Sequence, residues 1–152
     1  MSVQSLEREL FVPQPIEEVF AFFADAANLE RITPAHLRFE ILTPLPITMR
    51  AGTLIDYRLR LMGLAFHWRT RIDLWDPPHR FIDTQLRGPY REWVHTHSFA
   101  REGRGTRMRD AVHYQLPLAP WSDLALPWVR RRVRQIFDHR ARVIAALFDA
   151  TP

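Results

Sequence analysis

A chain of 152 residues, 47% of them hydrophobic, is long enough for one domain with a real core and too short for two ordinary ones, so a single unit over residues 1–152 is expected. It contains no cysteine, which excludes a disulfide framework, a thiolate metal site and a cysteine nucleophile. Every basic side chain among the 21 is arginine, and the formal net charge of +4 is too small to mark a dedicated nucleic-acid binder, so no nucleic-acid partner is expected.

The opening MSVQSLEREL has no apolar run behind a basic region, and no later segment approaches the ~18 consecutive apolar residues of a membrane span. A soluble, cytoplasmic protein is the expectation, with no obligate protein partner. Residues 5–12 read as a first strand. Pro13-Gln14-Pro15 stops it and starts a helix with Ile16, Val19, Phe20 and Phe23 as its buried stripe; Glu17 and Glu18 suit the positive N-terminus. A second short helix over residues 25–32 ends at Thr33-Pro34, because proline disfavours helical geometry in the residue before it.

Residues 38–43, 53–61, 64–75, 80–87, 90–99 and 106–116 then carry strand-like content. The turn signals between them are Pro44-Leu45-Pro46, Met62-Gly63, Pro77-Pro78, Gly88-Pro89 and Gly103-Arg104-Gly105. Connections this short imply an antiparallel meander. The period then changes: Leu126, Val129, Val133, Ile136, Phe137, Ile144 and Leu147 recur at helical spacing, with Arg131, Arg134, Asp138 and Arg142 on the opposite face. The fold class predicted is α+β, a seven-stranded antiparallel sheet with two short helices after the first strand and one long C-terminal helix.

The most informative stretch is the run Trp93, His95, His97 and Phe99. Alternate residues of a strand share a face, so two histidines are held between two large aromatics. A face that apolar should point inward, and polar groups embedded in it need partners or a ligand. The run predicts a lined pocket rather than a plain core.

The order of elements, with the opening FVPQPIEEVFAFFADAANLERITP, resembles the START/polyketide-cyclase (SRPBCC) superfamily, the helix-grip fold shared with the birch-pollen allergens. The stretches TPLPITMRAGTLIDYRLRLMG, RFIDTQLRGPYREWVHTHSF and IFDHRARVI are similar to a bacterial ligand-binding subgroup within it. The resemblance covers essentially the whole chain. It implies a curved sheet wrapped around the C-terminal helix, with a cavity between them.

Alternation places Ile55, Tyr57, Leu59, Phe66, Trp68, Thr70, Ile72, Met108, Val112 and Tyr114 on the apolar, concave side. Asp110 shares the parity of Met108 and Val112, so a carboxylate also points inward. Asp83 and Gln85 share a face with Phe81, although that strand reads equally with Ile82, Thr84 and Leu86 inside. The candidate ligand-binding set is therefore Tyr57, Trp68, Phe81, Asp83, Gln85, Trp93, His95, His97, Asp110 and Tyr114.

His95, His97 and Asp110 admit several roles. They form a purely structural hydrogen-bonded network, or they contact the polar groups of a mostly apolar ligand. They are also the candidate catalytic residues for acid–base chemistry of the kind found in the aromatase/cyclase branch. Two histidines at i and i+2 on a strand can reach one metal ion, with Asp110 or Asp83 as third ligand. The resemblance implies no metal, and neither a metal nor another cofactor is expected. No nucleophile elbow or phosphate loop is present, since Gly52, Gly63, Gly88, Gly103 and Gly105 all fall at turns.

Arg58, Arg60, Arg69 and Arg71 occupy outward positions of two adjacent strands, with Asp56 and Asp73 available to pair with them. Trp121, Leu126 and Trp128 precede Arg130-Arg131-Arg132. The tryptophans are expected to close one end of the cavity; the alternative is weak contact with an anionic membrane surface. The function these features predict is binding of a small hydrophobic or aromatic molecule, lipid- or polyketide-like, in an internal cavity. The alternative is a cyclase/dehydratase-type enzyme with His95 or His97 as base, oriented by Asp110.

Overall fold

The computed structural model of the protein describes residues 3–152. Its strands are β1 (Gln4–Val12), β2 (Glu40–Ile41), β3 (Leu54–Leu61), β4 (Leu64–Asp76), β5 (Arg80–Arg87), β6 (Glu92–Glu102) and β7 (Gly105–Gln115). Its helices are α1 (Ile16–Ala24), α2 (Asn28–Ile32) and α3 (Leu126–Phe148). The seven strands form one antiparallel sheet in the order β1-β7-β6-β5-β4-β3-β2. The first strand thus closes against the last, from Gln4 opposite Tyr114 to Val12 opposite Thr106.

Local chemistry sets the hairpins. Leu61 pairs with Leu64, leaving Met62 and Gly63 as a two-residue turn with φ of 53° and 76°. That pair of positive φ values matches the right-handed twist of the flanking strands, and glycine adopts it at no steric cost. Between α1 and α2, Asp25 is extended rather than helical, and its carboxylate accepts from the Ala27 amide at 3.0 Å. This local bond removes residues 25–27 from the helix predicted over 25–32. The strand predicted over 38–43 shrinks to Glu40–Ile41, because a 3-10 turn over Ala35–Leu37 ends at Arg38 with φ 47°.

A bulge corrects the simple alternation on β4. Ile72 lies opposite Asp83 and Leu74 opposite Ile82, so Asp73 is extra on β4, and Trp75 rather than Leu74 turns inward. The Trp75 ring packs on Phe20 at 5.2 Å and on Phe81 at 5.4 Å between centroids. These rings, with Phe99 against Phe20 at 5.4 Å, form an apolar plug between α1 and the sheet.

Helix α3 lies on the same face of the sheet. Its buried residues are Val133, Phe137, Arg140 and Ile144, a stripe spaced by four, three and four. Leu147, predicted on that stripe, is instead exposed, at 42%. Ile144 is 0% exposed, so Ile144→Ala should lower unfolding stability by about 2–5 kcal/mol in a denaturant titration. Leu147→Ala should change it by less than about 0.5 kcal/mol. Equal effects at the two positions would contradict this packing.

Candidate functional site

The alternation read from β6 fixes the centre of the site. His95, His97 and Phe99 are buried and Trp93 half-buried on the inner face, with Phe81 stacked on the His97 ring at 4.0 Å and 12°. The two imidazoles stack on each other at 3.7 Å, and Phe137 of α3 meets the His95 ring edge-on at 5.3 Å. Ring packing on three sides therefore leaves little freedom for either histidine.

Each histidine finds its carboxylate diagonally across the sheet. Asp83 lies opposite His95 and Asp110 opposite His97 in the backbone register. The bonds run crosswise: His95 Nε2 to Asp110 Oδ1 at 2.8 Å, and His97 Nε2 to Asp83 Oδ2 at 2.6 Å. His97 Nδ1 also reaches Asp110 Oδ1 at 3.4 Å. From α3, Arg140 donates to both oxygens of Asp110, through Nε to Oδ2 and Nη2 to Oδ1, each at 3.2 Å. Its guanidinium stacks over Phe23 of α1 at 5.3 Å.

Burial alone would push the Asp110 carboxyl up; the Arg140 charge and the bonds from His95 and His97 outweigh it and hold it well below the usual carboxylate range. The same contest lowers Asp83, where burial is outweighed by the His97 bond and the charges of His95, His97 and Arg140. Burial and the neighbouring His97 keep His95 below its ordinary value, hence neutral. Burial opposes a charge on His97 too, but bonds to Asp110 and Asp83 raise its pKa. Two carboxylates thus face the Arg140 cation and a His97 whose charged form they favour. With Nε2–H donated to Asp110, neutral His95 keeps a lone pair on Nδ1.

Above this polar floor lies a cavity of about 180 Å³ between α3 and the sheet, more than ten times the space one buried water needs. Tyr57, Trp68, Phe81, Asp83, Trp93, His95 and His97 line it, as do Phe137 and Arg140 from the helix and Phe39 and Tyr90 from loops. The walls are mostly apolar. Thr70 also lines the cavity, and among the described residues its buried hydroxyl has no hydrogen-bond partner. Burial and the charges of Asp83 and Asp56 raise the Tyr57 pKa, so its hydroxyl stays protonated.

Three candidates sit elsewhere. Asp110 lies behind the histidines, and Tyr114 packs behind Tyr90 and Trp93 at 5.8 Å from each, so neither is part of the wall. Gln85 is pinned across the β5–β6 turn, donating to the Tyr90 carbonyl at 2.7 Å and accepting from the Tyr90 amide at 3.2 Å. A Cβ at Gly88 would come within 2.5 Å of the Gln85 Oε1, which explains glycine there. The sequence reading missed Arg140. Its signal was a charged residue set between Phe137 and Ile144 at the spacing of the buried stripe.

The outer surface also differs from expectation in one respect. Trp121 is 78% exposed and Trp128 40%, and neither lines the cavity, so the tryptophans do not close its end. They lie where the 3-10 turn Trp121–Ala125 leads into α3, with the Arg132 guanidinium over Trp128 at 5.0 Å. The cavity is instead walled by side chains from the sheet, from α1, α2 and α3, and from the loops that carry Phe39 and Tyr90. The outward arginines are largely paired: Arg58 with Glu40 at 2.6 Å, Arg69 with Asp56 at 2.9 Å and Arg71 with Asp73.

A curved antiparallel sheet gripping a long C-terminal helix around an internal cavity defines the helix-grip class of α+β domains. The chain belongs to the family described as polyketide cyclase / dehydrase and lipid transport, whose pattern matches residues 3–148. Among solved structures, the fold is similar to TTHA0849 from Thermus thermophilus, with 20% identity, TM-score 0.75, and 93% of this chain and 94% of that one covered. It is also similar to the di-domain ARO/CYC StfQ from the steffimycin biosynthetic pathway, at 15% identity and TM-score 0.73, covering 97% of this chain and 51% of that one. Ara h 8.0201 matches at 17% identity and TM-score 0.62, over 95% and 99%. No curated protein matches the chain by sequence. No helix among the described residues is long and apolar enough to cross a membrane.

The electrostatics of the floor yield two measurable outcomes. Arg140→Met leaves a buried carboxylate without its cation and should cost about 3–5 kcal/mol in a denaturant titration, with Arg140→Met/Asp110→Asn recovering part of the loss. The folded Asp110 pKa lies below its unfolded value of ~3.9. Its contribution is therefore complete above that pH and is lost as pH falls toward the folded value. Asp110→Asn should flatten the stability profile below about pH 4; an unchanged acid limb would contradict the assigned pairing.

Proposed function

We propose that this protein binds one small hydrophobic or aromatic molecule, of the lipid or polyketide kind, between α3 and the sheet. The observation that carries this reading is the cavity of about 180 Å³, with apolar and aromatic walls and polar groups gathered at one end. That division of labour is what a ligand pocket needs, since apolar walls supply affinity and a few fixed polar groups set orientation. Family membership supports it through the breadth of that family, cyclisation and dehydration on one side and lipid transport on the other.

One observation favours a catalytic role in the same cavity. His95 is neutral, points into the wall of the cavity and is oriented by Asp110 through Nε2, the arrangement a general base requires. A binder loses affinity by degrees when His95 is changed, whereas a cyclase or dehydratase loses turnover and still binds.

Trp68 and Trp93 face the cavity and report its filling. Titration with apolar fluorescent probes and fatty acids should quench their emission, saturate at about one molecule per chain and raise the melting temperature. Ile55→Trp, which fills the wall from β3, should abolish the signal without unfolding the protein. A diverse apolar set that gives neither saturation nor a thermal shift would remove the binding reading. Mass spectrometry of the organic extract of purified protein identifies any molecule carried along.

Exposed Trp121, Leu124 and Trp128 beside Arg131 and Arg132 support ligand exchange at an anionic membrane. Vesicles containing anionic lipid should bind the protein in a salt-sensitive manner, and Trp121→Ser/Leu124→Ser should weaken that binding while leaving probe affinity intact. Equal binding to zwitterionic vesicles, or no effect of the double change, would remove this surface.

A further inference from the structure

We propose that His95 Nδ1, His97 Nε2 and an Asp83 carboxylate oxygen form a site for one divalent transition-metal ion of the zinc or iron(II) class, open to the cavity on its remaining coordination positions. The sequence reading expected no metal and left Asp83 and Asp110 as interchangeable third ligands. The structure separates these two carboxylates by position. Asp83, His95 and His97 all line the cavity and their ligating atoms lie within 4.8 Å of one another, whereas Asp110 stands behind both rings.

That placement gives each carboxylate a distinct part. Two imidazoles and one carboxylate on one side of an ion, with other positions free, are a donor set suited to zinc or iron(II). A histidine that binds metal through one nitrogen usually donates its other N–H to a carboxylate, which fixes the ring and its tautomer. Asp110 Oδ1 does this for His95, accepting from Nε2 at 2.8 Å; it also lies 3.4 Å from His97 Nδ1, which Arg140 Nη2 approaches at 3.5 Å. Arg140 fixes that carboxylate through its two oxygens. The nitrogens left over, His95 Nδ1 and His97 Nε2, are the two turned to Asp83, at 3.9 and 2.6 Å from its Oδ2.

Donors about 2.1 Å from one ion lie roughly 3.0–3.4 Å apart at octahedral or tetrahedral angles. Asp83 Oδ2 stands 2.6 Å from His97 Nε2 and 3.9 Å from His95 Nδ1, on either side of that range, so uptake moves the Asp83 carboxylate away from His97 and toward His95. Uptake displaces the proton shared between His97 Nε2 and Asp83, which passes to solvent as the metal–nitrogen bond forms. The ion's two charges are then met by Asp83 and Asp110, with Arg140 the remaining cation. Resting on the cavity reading, the site adds a substrate class: an apolar or aromatic molecule carrying an oxygen donor, such as an enol, phenol or carboxylate, able to complete the coordination.

Metal alone tests the site, so the result does not depend on whether an organic ligand binds. Tag-free, chelator-treated protein is titrated with Co(II) and dialysed against Zn(II), with metal measured by elemental analysis. The expected result is saturation at one ion per chain, with the visible absorption of cobalt in a nitrogen–oxygen site. His95→Gln/His97→Gln and Asp83→Asn should abolish stoichiometric uptake. Asp110→Asn should retain one ion per chain at affinity about 10- to 100-fold weaker, the usual effect of losing a carboxylate behind a histidine ligand. Should these variants unfold, NMR of wild-type protein decides: Co(II) should first shift the ring protons of His95 and His97. The absence of saturable uptake by the folded protein overturns the proposal. So does stoichiometric uptake that persists in His95→Gln/His97→Gln, or that perturbs exposed histidines such as His79 instead.

Discussion

An isolated carboxylate at the position of Asp110, only 5% exposed, would cost several kcal/mol, and the paired bonds from Arg140 offset that cost. The consequences reach well beyond one ion pair. Asp110 belongs to β7 and Arg140 to α3, so the bond sets how far the helix turns about its axis and which residues it offers to the sheet. With Arg140 directed at Asp110, Phe137 meets His95 and Ile144 joins the apolar plug around Phe20 and Phe99. Asp110 also accepts from His95 Nε2 and lies 3.4 Å from His97 Nδ1, and both imidazoles then face Asp83.

This buried polar group divides the interior. Around Phe20 of α1 the space is filled with rings, Trp75, Phe81 and Phe99, in edge, tilted or stacked contact. On the other side of the histidines the walls are as apolar, from Ile55 and Tyr57 to Trp68 and Trp93, but the space between them is not filled. A cavity of this character is stable because its lining consists of large side chains locked against one another, with Trp93 between Trp68 and Tyr90 at 5.3 and 4.7 Å. The polar floor at one end and the apolar walls around it are the basis for proposing a ligand with one polar end.

Much of this was legible in the sequence because strands were the carriers. The alternation of Trp93, His95, His97 and Phe99 holds as read, and the hairpin signals at Met62-Gly63 and Gly103-Arg104-Gly105 set the meander. Alternation was read only as far as Ile72 on β4; beyond it the bulge at Asp73, which no residue pattern announces, brings Trp75 rather than Leu74 inside. Diagonal pairing was also hidden, because register places Asp83 opposite His95 while the hydrogen bonds connect Asp83 with His97. Arg140 was masked by its neighbours, since α3 carries five further arginines on outward positions. Trp121 illustrates the opposite error, for large aromatics are usually buried and this one stands out in solvent.

The protonation pattern around Asp110 is the most direct readout of this arrangement. Long-range ¹H–¹⁵N correlation spectra of metal-free, histidine-labelled protein at neutral pH report the state of each ring nitrogen. His95 should be neutral with its proton on Nε2, donated to Asp110, and His97 should carry protons on both nitrogens. A His95 protonated on Nδ1, or two histidines that titrate near ~6.5 like free imidazole, would contradict the organising role of Asp110 and with it the polar floor of the cavity.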